Sequence, residues 1–374
     1  MSIIKPIESW WLFPGFELEH LATGLHKPTN VVVVQKPGQD DDPLAYVVEL
    51  YGKIKVITNG GKVREYATGL LNYSPDYVFP GSGESGLGGI CLEPRSGDLF
   101  VSMIYQEGDG FKAKVVRMVS GNGLEVDTVE TIIEGIPSVR GAHQIQAVTI
   151  GPDEKLYVNV GDGMLDPSPA QDEGDLRGKV LRIEMDGSIP SDNPWGDSPV
   201  FAKGFRNPFG AAWRKSDRKL FISDNGPRSN DRIAMVEAGG DYGWQPDMTK
   251  NSLFRWTFTQ APTALDFMQD GQFQDRYREN LFVALPGTAR YLGPSLKGKR
   301  IVKLGLNEDT TGLRSYDDFV IYIGEGRAMP VGLSFGPGGL YFTDFHGEGD
   351  IYGSNPEGNL FRVRGSGEEW RWSE

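Results

Sequence analysis

The sequence predicts an all-β protein, a six-bladed β-propeller built from four-stranded antiparallel blades. Three observations carry this reading. Strands of the type leucine, aromatic, aliphatic begin at Leu44, Leu99, Leu156, Leu220, Leu281 and Leu340, at steps of about 60 residues. A second strand pattern follows: GKIKVI (52–57), AKVVRM (113–118), GKVLRI (178–183), DRIAMV (231–236), KRIVKL (299–304) and NLFRV (359–363). The 50 glycines and 24 prolines are spread along the chain as turn residues, and no long helical period interrupts the strands.

The repeat has a physical logic. One blade cannot bury both of its faces, but six blades around an axis bury them against one another. A length of 374 residues would by itself suggest two or more domains. Repetition lets one domain account for residues 1–374, and no linker is evident. The ring must also close. FELEHLATGL (16–25) is expected to supply the outer strand of the last blade, beside GLYFTD and NLFRV. The pair Trp10-Trp11 and the tail EEWRW (368–372) read as edge packing. Two loops exceed a tight turn, 161–178 and 188–202. Such loops in a repeat fold usually gather on the functional face.

Composition excludes some partners. The net charge of −13 argues against nucleic acid or an anionic membrane as the main partner. It is compatible with a surface that binds cations or sugars. The longest purely aliphatic run, Val31 to Val34, is far too short to cross a bilayer. The single cysteine, Cys91, excludes an internal disulfide, and its setting GGICLEP reads as a buried strand thiol. No basic segment followed by an apolar one opens the chain, so no signal peptide is expected in it.

Four places could carry chemistry. His143, one of four histidines, lies just upstream of the turn GPDEK (151–155) and the strand LYVNV (156–160), which Asp162 follows. The strand repeats around the chain and the histidine does not. A neutral imidazole can act as a general base, and a nearby acid can fix its tautomer. The other reading is a structural histidine bonded to a carbonyl. Arg206-Asn207-Pro208 precedes a new blade; its side chains offer a planar donor fork and a mixed donor and acceptor, or else a salt-bridged turn. SDNGPRSND (223–231) could turn backbone carbonyls toward a hard cation such as calcium, or be an ordinary Gly-Pro turn. Glu84 stands just before a blade strand, in a string (GSGESG) that does not lead into a helix and so is not a phosphate loop. No HExxH, Walker or GxSxG sequence is present.

With these residues in hand, the chain resembles the soluble quinoprotein glucose dehydrogenase family, which includes aldose sugar dehydrogenases and sorbosone dehydrogenase-like proteins. The matching pieces are GESGLGGICLEP (83–94), AHQIQAVTIGPDEKLYVNVGD (142–162), AQDEGDLRGKVLRIEMDGSIPSDNPW (170–195), FAKGFRNPFGAAW (201–213), SDNGPRSNDRIAMVEAGGDYGW (223–244) and RAMPVGLSFGPGGLYFTD (327–344). The resemblance implies pyrroloquinoline quinone (PQQ) and calcium on one face of a six-bladed propeller. It implies that His143 takes the proton of a sugar's C1 hydroxyl and that Asp162 orients it. Glu84, Gln144, Arg206, Asn207 and Arg327 would line the cofactor. The carbonyls of Gly226 and Pro227 would bind calcium, with Asp231 in support. The partners implied are an aldose and an external electron acceptor, in a periplasmic or extracellular location.

The chain also departs from the family pattern. Gln144-Ile145-Gln146-Ala147 stands where a Gly-Gly-Arg-Leu type sequence is usual. Pro286-Gly287 stands where blade five often ends in a lysine, for which Arg290 or Lys297 could substitute. Arg327 alone represents a late arginine pair, and Arg232 stands where an acid often follows Asp231. Fewer cations predict weaker binding of a tricarboxylate. A second function class is therefore kept: a calcium-stabilised propeller that binds a ligand or protein without redox chemistry, as the fold does in a signalling antagonist. A third, a calcium lactonase, would need carboxylate and amide ligands converging on the axis, and none can be placed.

Overall fold

The computed structural model describes residues 7–74, 84–139, 141–245, 247–269, 271–287, 295, 297–346 and 357–367. Six antiparallel sheets form a six-bladed β-propeller. Blade one runs Pro28–Val33, Pro43–Glu49, Lys53–Thr58 and Val63–Ala67. Blade two runs Leu87–Leu92, Leu99–Glu107, Gly110–Val119 and Thr128–Ser138. Blade three runs Ile145–Ile150, Leu156–Val160, Lys179–Ile183 and Val200–Lys203. Blade four runs Pro208–Arg214, Lys219–Asp224, Asp231–Val236 and Phe254–Trp256. Blade five runs Leu265–Phe267, Leu281–Leu285, Arg300–Leu306 and Leu313–Tyr322, and Trp10–Leu12 adds a fifth strand at its edge. Blade six runs Pro330–Gly336, Gly339–Asp344 and Gly358–Gly365, and Phe16–Leu25 is its outermost strand, paired from Phe16↔Gly365 to Leu25↔Gly358. Residues from near the two ends of the chain thus share one sheet. The tail 368–372 lies outside the described residues.

The second strand of each blade explains the sequence repeat. Leu156–Val160, Leu281–Leu285 and Gly339–Asp344 are buried along their whole length. A strand covered by neighbouring blades on both faces reads as a continuous apolar run rather than an alternation. The outermost strand Thr128–Ser138 is mostly exposed and leaves no such signature. Clusters of buried side chains fill the spaces between blades. One of them places Phe273, Phe282, Phe319 and Phe335 together, with Phe282 and Phe335 edge to face at 5.1 Å.

The innermost strands approach one another closely, and this requires glycine. A Cβ on Gly88 would stand 2.5 Å from the Ile145 carbonyl oxygen, and one on Gly210 would stand 2.2 Å from that of Thr263. Both contacts join consecutive blades. Hydroxyls on the second strands tie the same places: Ser102 accepts the Gly89 N–H (2.7 Å) and donates to the Gln146 carbonyl (2.5 Å). Ser223 repeats the arrangement with Gly210 (2.9 Å) and Thr263 (2.6 Å).

Strand parity decides where each loop lies. Ile145 pairs with Val160 and Pro208 with Asp224, so first strands begin and second strands end at the same end of the propeller. The loop 161–178 follows a second strand and lies at that end. The loop after Ile183 follows a third strand and lies at the other. Sequence reading grouped 161–178 and 188–202 on one face; parity separates them, and residues 200–202 belong to the strand Val200–Lys203.

Candidate active site

At the end where first strands begin, the chain gathers most of the residues singled out from the sequence. His143 enters blade three with a positive φ of 58°, a left-handed conformation. Its backbone is held from both sides. The Glu84 carboxylate accepts the His143 amide at 2.7 Å, and the His143 carbonyl accepts the Gly163 amide at 3.2 Å. A Cβ on Gly161 would fall 2.4 Å from the His143 carbonyl oxygen, so only glycine lets the second strand pass so close.

The side chain is fixed as tightly. His143 Nδ1 lies 2.6 Å from Asp162 Oδ1, and both residues are buried. Asp162 Oδ1 also accepts the Met164 amide (2.8 Å), and Oδ2 accepts the indole N–H of Trp244 (2.8 Å). An acid that accepts from Nδ1 places the imidazole's basic lone pair on Nε2. Nε2 has no protein partner among the described residues. The geometry therefore presents one nitrogen that can take a proton and a buried carboxylate behind it that stabilises the resulting cation.

Glu84 does more than hold His143. Its Oε2 also accepts from Gln146 Nε2 (3.2 Å), and Asn207 Nδ2 approaches both of its oxygens at 3.4 Å. Gln144 is buried and folded back on its own turn, its amide donating to the carbonyls of Val139 and Ala142 and accepting from Ser138. It shapes the turn that presents His143.

Arg206 and Asn207 enter blade four beside this pair. Arg206 Nη1 donates to the carbonyls of Asn225 and Gly226, both at 2.9 Å, and its guanidinium lies 5.8 Å from the Trp244 ring centroid. Burial pushes the Arg206 guanidinium down, and the nearby carboxylates of Asp162, Asp224 and Glu84 oppose this. Asn207 Oδ1 is buried with no donor among the described residues. The Arg206 and Asn207 amides meet Asp224 Oδ1 at 3.2 and 2.8 Å. Asp224 Oδ2 binds Arg232 at 2.7 Å, an ion pair with neither side chain exposed. Arg232 Nη1 then donates to the carbonyls of Tyr242 (2.6 Å), Met248 (3.1 Å) and Lys250 (3.1 Å), and Nη2 to that of Gly204 (3.2 Å).

The turn 225–231 holds its acid differently from the sequence expectation. Asp231 Oδ1 accepts the Gly226 amide (2.8 Å), and Oδ2 accepts the Thr259 hydroxyl (2.9 Å) and the amides of Gln260 (2.6 Å) and Ala261 (2.8 Å). Pro227 is exposed on the same turn. Arg327 is half-buried on the connection from blade five to blade six, at the same end of the propeller. Lys297 places its ammonium 5.2 Å from the Phe258 ring centroid. Arg290 lies outside the described residues.

These contacts test the two groups that the resemblance implies. An anionic, hydrogen-bonding cofactor fits: Arg206 keeps N–H groups without a protein acceptor among the described residues, and Asn207 Oδ1 lacks a donor. Calcium at 226–231 does not fit this arrangement. The Gly226 carbonyl already accepts from a guanidinium, and both Asp231 oxygens are occupied by donors. Among the described residues no group of three or more His, Cys, Asp or Glu side chains could hold a metal ion.

Two residues here escaped sequence reasoning. Asp224 was read only as part of a turn, although an acid closing a second strand was itself a signal. Trp244 is delivered by the segment 237–253, which pairs Lys203 with Asp241 and places the Trp244 amide on the Gly204 carbonyl at 3.0 Å. Nothing in its local pattern places it beside Asp162.

Comparison with known proteins places the chain in a family. A family model described as Glucose / Sorbosone dehydrogenase matches residues 39–311. The chain is 31% identical to quinoprotein glucose dehydrogenase B of Acinetobacter calcoaceticus over 202 residues, 46% of this chain and 42% of that protein. It is 23% identical to an aldose sugar dehydrogenase of Escherichia coli over 336 residues, 81% of this chain and 87% of that protein. It is also 25% identical to human Hedgehog-interacting protein over 297 residues, 70% of this chain and 41% of that protein. The PQQ-bound form of an aldose sugar dehydrogenase from Streptomyces coelicolor shares the fold, with a TM-score of 0.69 and 23% identity over 95% of this chain and 100% of that one. The chain thus spans less than half the length of the Acinetobacter protein that it matches.

Proposed function

We propose, from the premise that the chain belongs to the glucose/sorbosone dehydrogenase family, that it is a PQQ-dependent dehydrogenase oxidising the C1 hydroxyl of an aldose. The observation that carries this reading is the buried His143–Asp162 pair with Nε2 of His143 left to accept a proton. PQQ, when bound, would supply a two-electron acceptor for the hydride leaving C1.

The chain's own residues do the rest. His143 Nε2 takes the hydroxyl proton as the hydride departs, and Asp162 stabilises the imidazolium. Glu84 fixes the His143 backbone, so the base cannot retreat. Arg206 offers its remaining N–H groups to a cofactor carboxylate, and Asn207 Oδ1 accepts from a cofactor donor. Arg327 would add a second cation from the next connection. The electrons then leave to an external acceptor, which fits work outside the cytoplasm. No helix among the described residues is long and apolar enough to cross a membrane.

Calcium belongs to this reading only through exchange. If Arg206 turned from the Gly226 carbonyl onto a cofactor carboxylate, the Gly226 carbonyl would become available to the ion beside that of Pro227. Asp231 would then support it through the Gly226 amide that it already holds.

Reconstitution with PQQ, with and without calcium, followed by dye reduction across a panel of aldoses, tests the proposal. Turnover is expected, and His143→Gln is expected to lower kcat by about 10²- to 10⁴-fold with unchanged melting. Absence of both a quinone spectrum and turnover would defeat it. The second reading, a calcium-stabilised propeller that binds a ligand or protein without redox chemistry, needs the same ion, so the occupied oxygens of 226–231 count against it equally. It predicts no PQQ-induced shift in melting.

A further inference from the structure

This inference rests on the dehydrogenase reading and adds a residue to it. Asp162 has two carboxylate oxygens and three donors. Oδ1 takes His143 Nδ1 (2.6 Å) and the Met164 amide (2.8 Å), and Oδ2 takes the Trp244 indole N–H (2.8 Å). Trp244 lies on the connection between the third and fourth strands of blade four, 82 residues away along the chain. It is the only donor recorded on Oδ2 among the described residues.

We propose that Trp244 is a positioning residue for proton abstraction: its indole N–H holds Asp162 Oδ2, so that Oδ1 stays on His143 Nδ1 and Nε2 remains the basic nitrogen. Without that N–H the carboxylate keeps both donors on one oxygen and leaves the other buried and unpaired. A carboxylate in that state turns to share its donors, and the imidazole that depends on it turns too.

The placement of Trp244 is built, not incidental. Its amide donates to the Gly204 carbonyl (3.0 Å), and its carbonyl accepts from Gln171 Nε2 (2.7 Å). Arg232 holds the neighbouring carbonyl of Tyr242 at 2.6 Å and is itself anchored by Asp224. The Trp244 ring also meets the Arg206 guanidinium, at 5.8 Å from the centroid. One side chain therefore touches both the acid behind the base and the cation of the cofactor wall. The other charged groups felt by the pair are Glu84, on the His143 amide, and Arg177, whose charge interacts with Asp162.

Trp244→Phe keeps a ring and removes only the N–H. In cofactor-free protein, nitrogen NMR of the neutral ring reports which imidazole nitrogen of His143 carries the proton. The wild type should show one tautomer, protonated at Nδ1, and the variant a mixture of both, because Asp162 no longer holds Oδ1 on Nδ1. In reconstituted protein kcat should fall on the order of tenfold to hundredfold, with little change in the KM for sugar. A folded variant whose His143 keeps the single Nδ1-protonated tautomer overturns the proposal. A second measurement needs no variant: in the wild type the Trp244 indole N–H resonance should move with pH at the His143 midpoint, and an indole signal indifferent to that titration overturns it equally. If reconstituted wild type shows no turnover, the dehydrogenase reading fails, while both NMR readings still decide the role of Trp244.

Discussion

Glu49 and Asp224 occupy the same place in blades one and four, and their surroundings differ. Each is the last residue of a second strand, and each lies opposite the proline that starts the first strand, Pro28 and Pro208. Proline has no N–H, and the amides just before it need an acceptor as the chain enters the blade. The carboxylates supply it. Glu49 Oε1 accepts the His26 amide at 2.7 Å, and Asp224 Oδ1 accepts that of Asn207 at 2.8 Å. Blade six repeats the device, with Asp344 Oδ1 on the Met329 amide at 2.7 Å beside Pro330.

The second oxygen separates the two. The third-strand residue opposite Asp224 is Arg232, which turns inward and pairs with it. The residue opposite Glu49 is Lys53, which turns outward and pairs with Glu65 at 2.9 Å. Glu49 Oε2 is left buried with no donor among the described residues. Burial pushes the carboxyl groups of both acids up; the Arg232 guanidinium opposes this at Asp224, and the His26 amide and the more distant charges of Lys55 and Lys53 oppose it at Glu49. One carboxylate is thus a hub for the candidate site, and the other is only a cap on a turn.

The largest expected effect lies in blade four. Asp224→Asn removes the countercharge of an Arg232 that has no exposure to water. Breaking one partner of such a buried pair costs about 3–5 kcal/mol. Urea denaturation of the variant should show a loss of that size, because the entry at 204–207 and the carbonyls of Tyr242, Met248 and Lys250 all hang on this pair. A loss below about 1 kcal/mol would show that the carbonyls around Arg232 suffice, and that Asp224 is no more than the cap Glu49 is.

The same comparison shows what the sequence revealed and what it hid. The blades were legible because second strands are buried on both faces, so each writes a continuous apolar run, as at Leu156–Val160. The pairing of His143 with Asp162 was legible because one strand separates them and strand polarity returns the chain to the same end. The hub was not. Arg232 looked like a departure from a family pattern, since nothing local shows that it reaches four backbone carbonyls and Asp224. Trp244 was hidden for a similar reason: its segment leaves the sheet and is placed by tertiary hydrogen bonds. The occupied state of Asp231 also depends on 259–261, a connection with no distinctive composition. Repetition writes itself into sequence; a contact made once, across blades, does not.

The smallest expected effect tests the other half of the comparison. Glu49→Gln keeps an oxygen for the His26 amide and removes an ionisable group without a partner for its second oxygen. A carboxyl raised in the folded state contributes stability that is present below its unfolded value and is lost as pH rises through its folded value. At neutral pH the buried carboxyl of Glu49 is therefore a liability, and the glutamine should be neutral or stabilising by up to about 1 kcal/mol. At pH 4, where Glu49 is protonated, the substitution should change little. Melting of both proteins from pH 4 to pH 8 checks this, with the gap opening as pH rises. The sign is opposite to that in blade four, although the two acids share strand position, proline partner and amide contact. A Glu49→Gln variant that is destabilised at pH 7 would mean that Oε2 has a charged partner in solution, and that blade one carries a hub of its own.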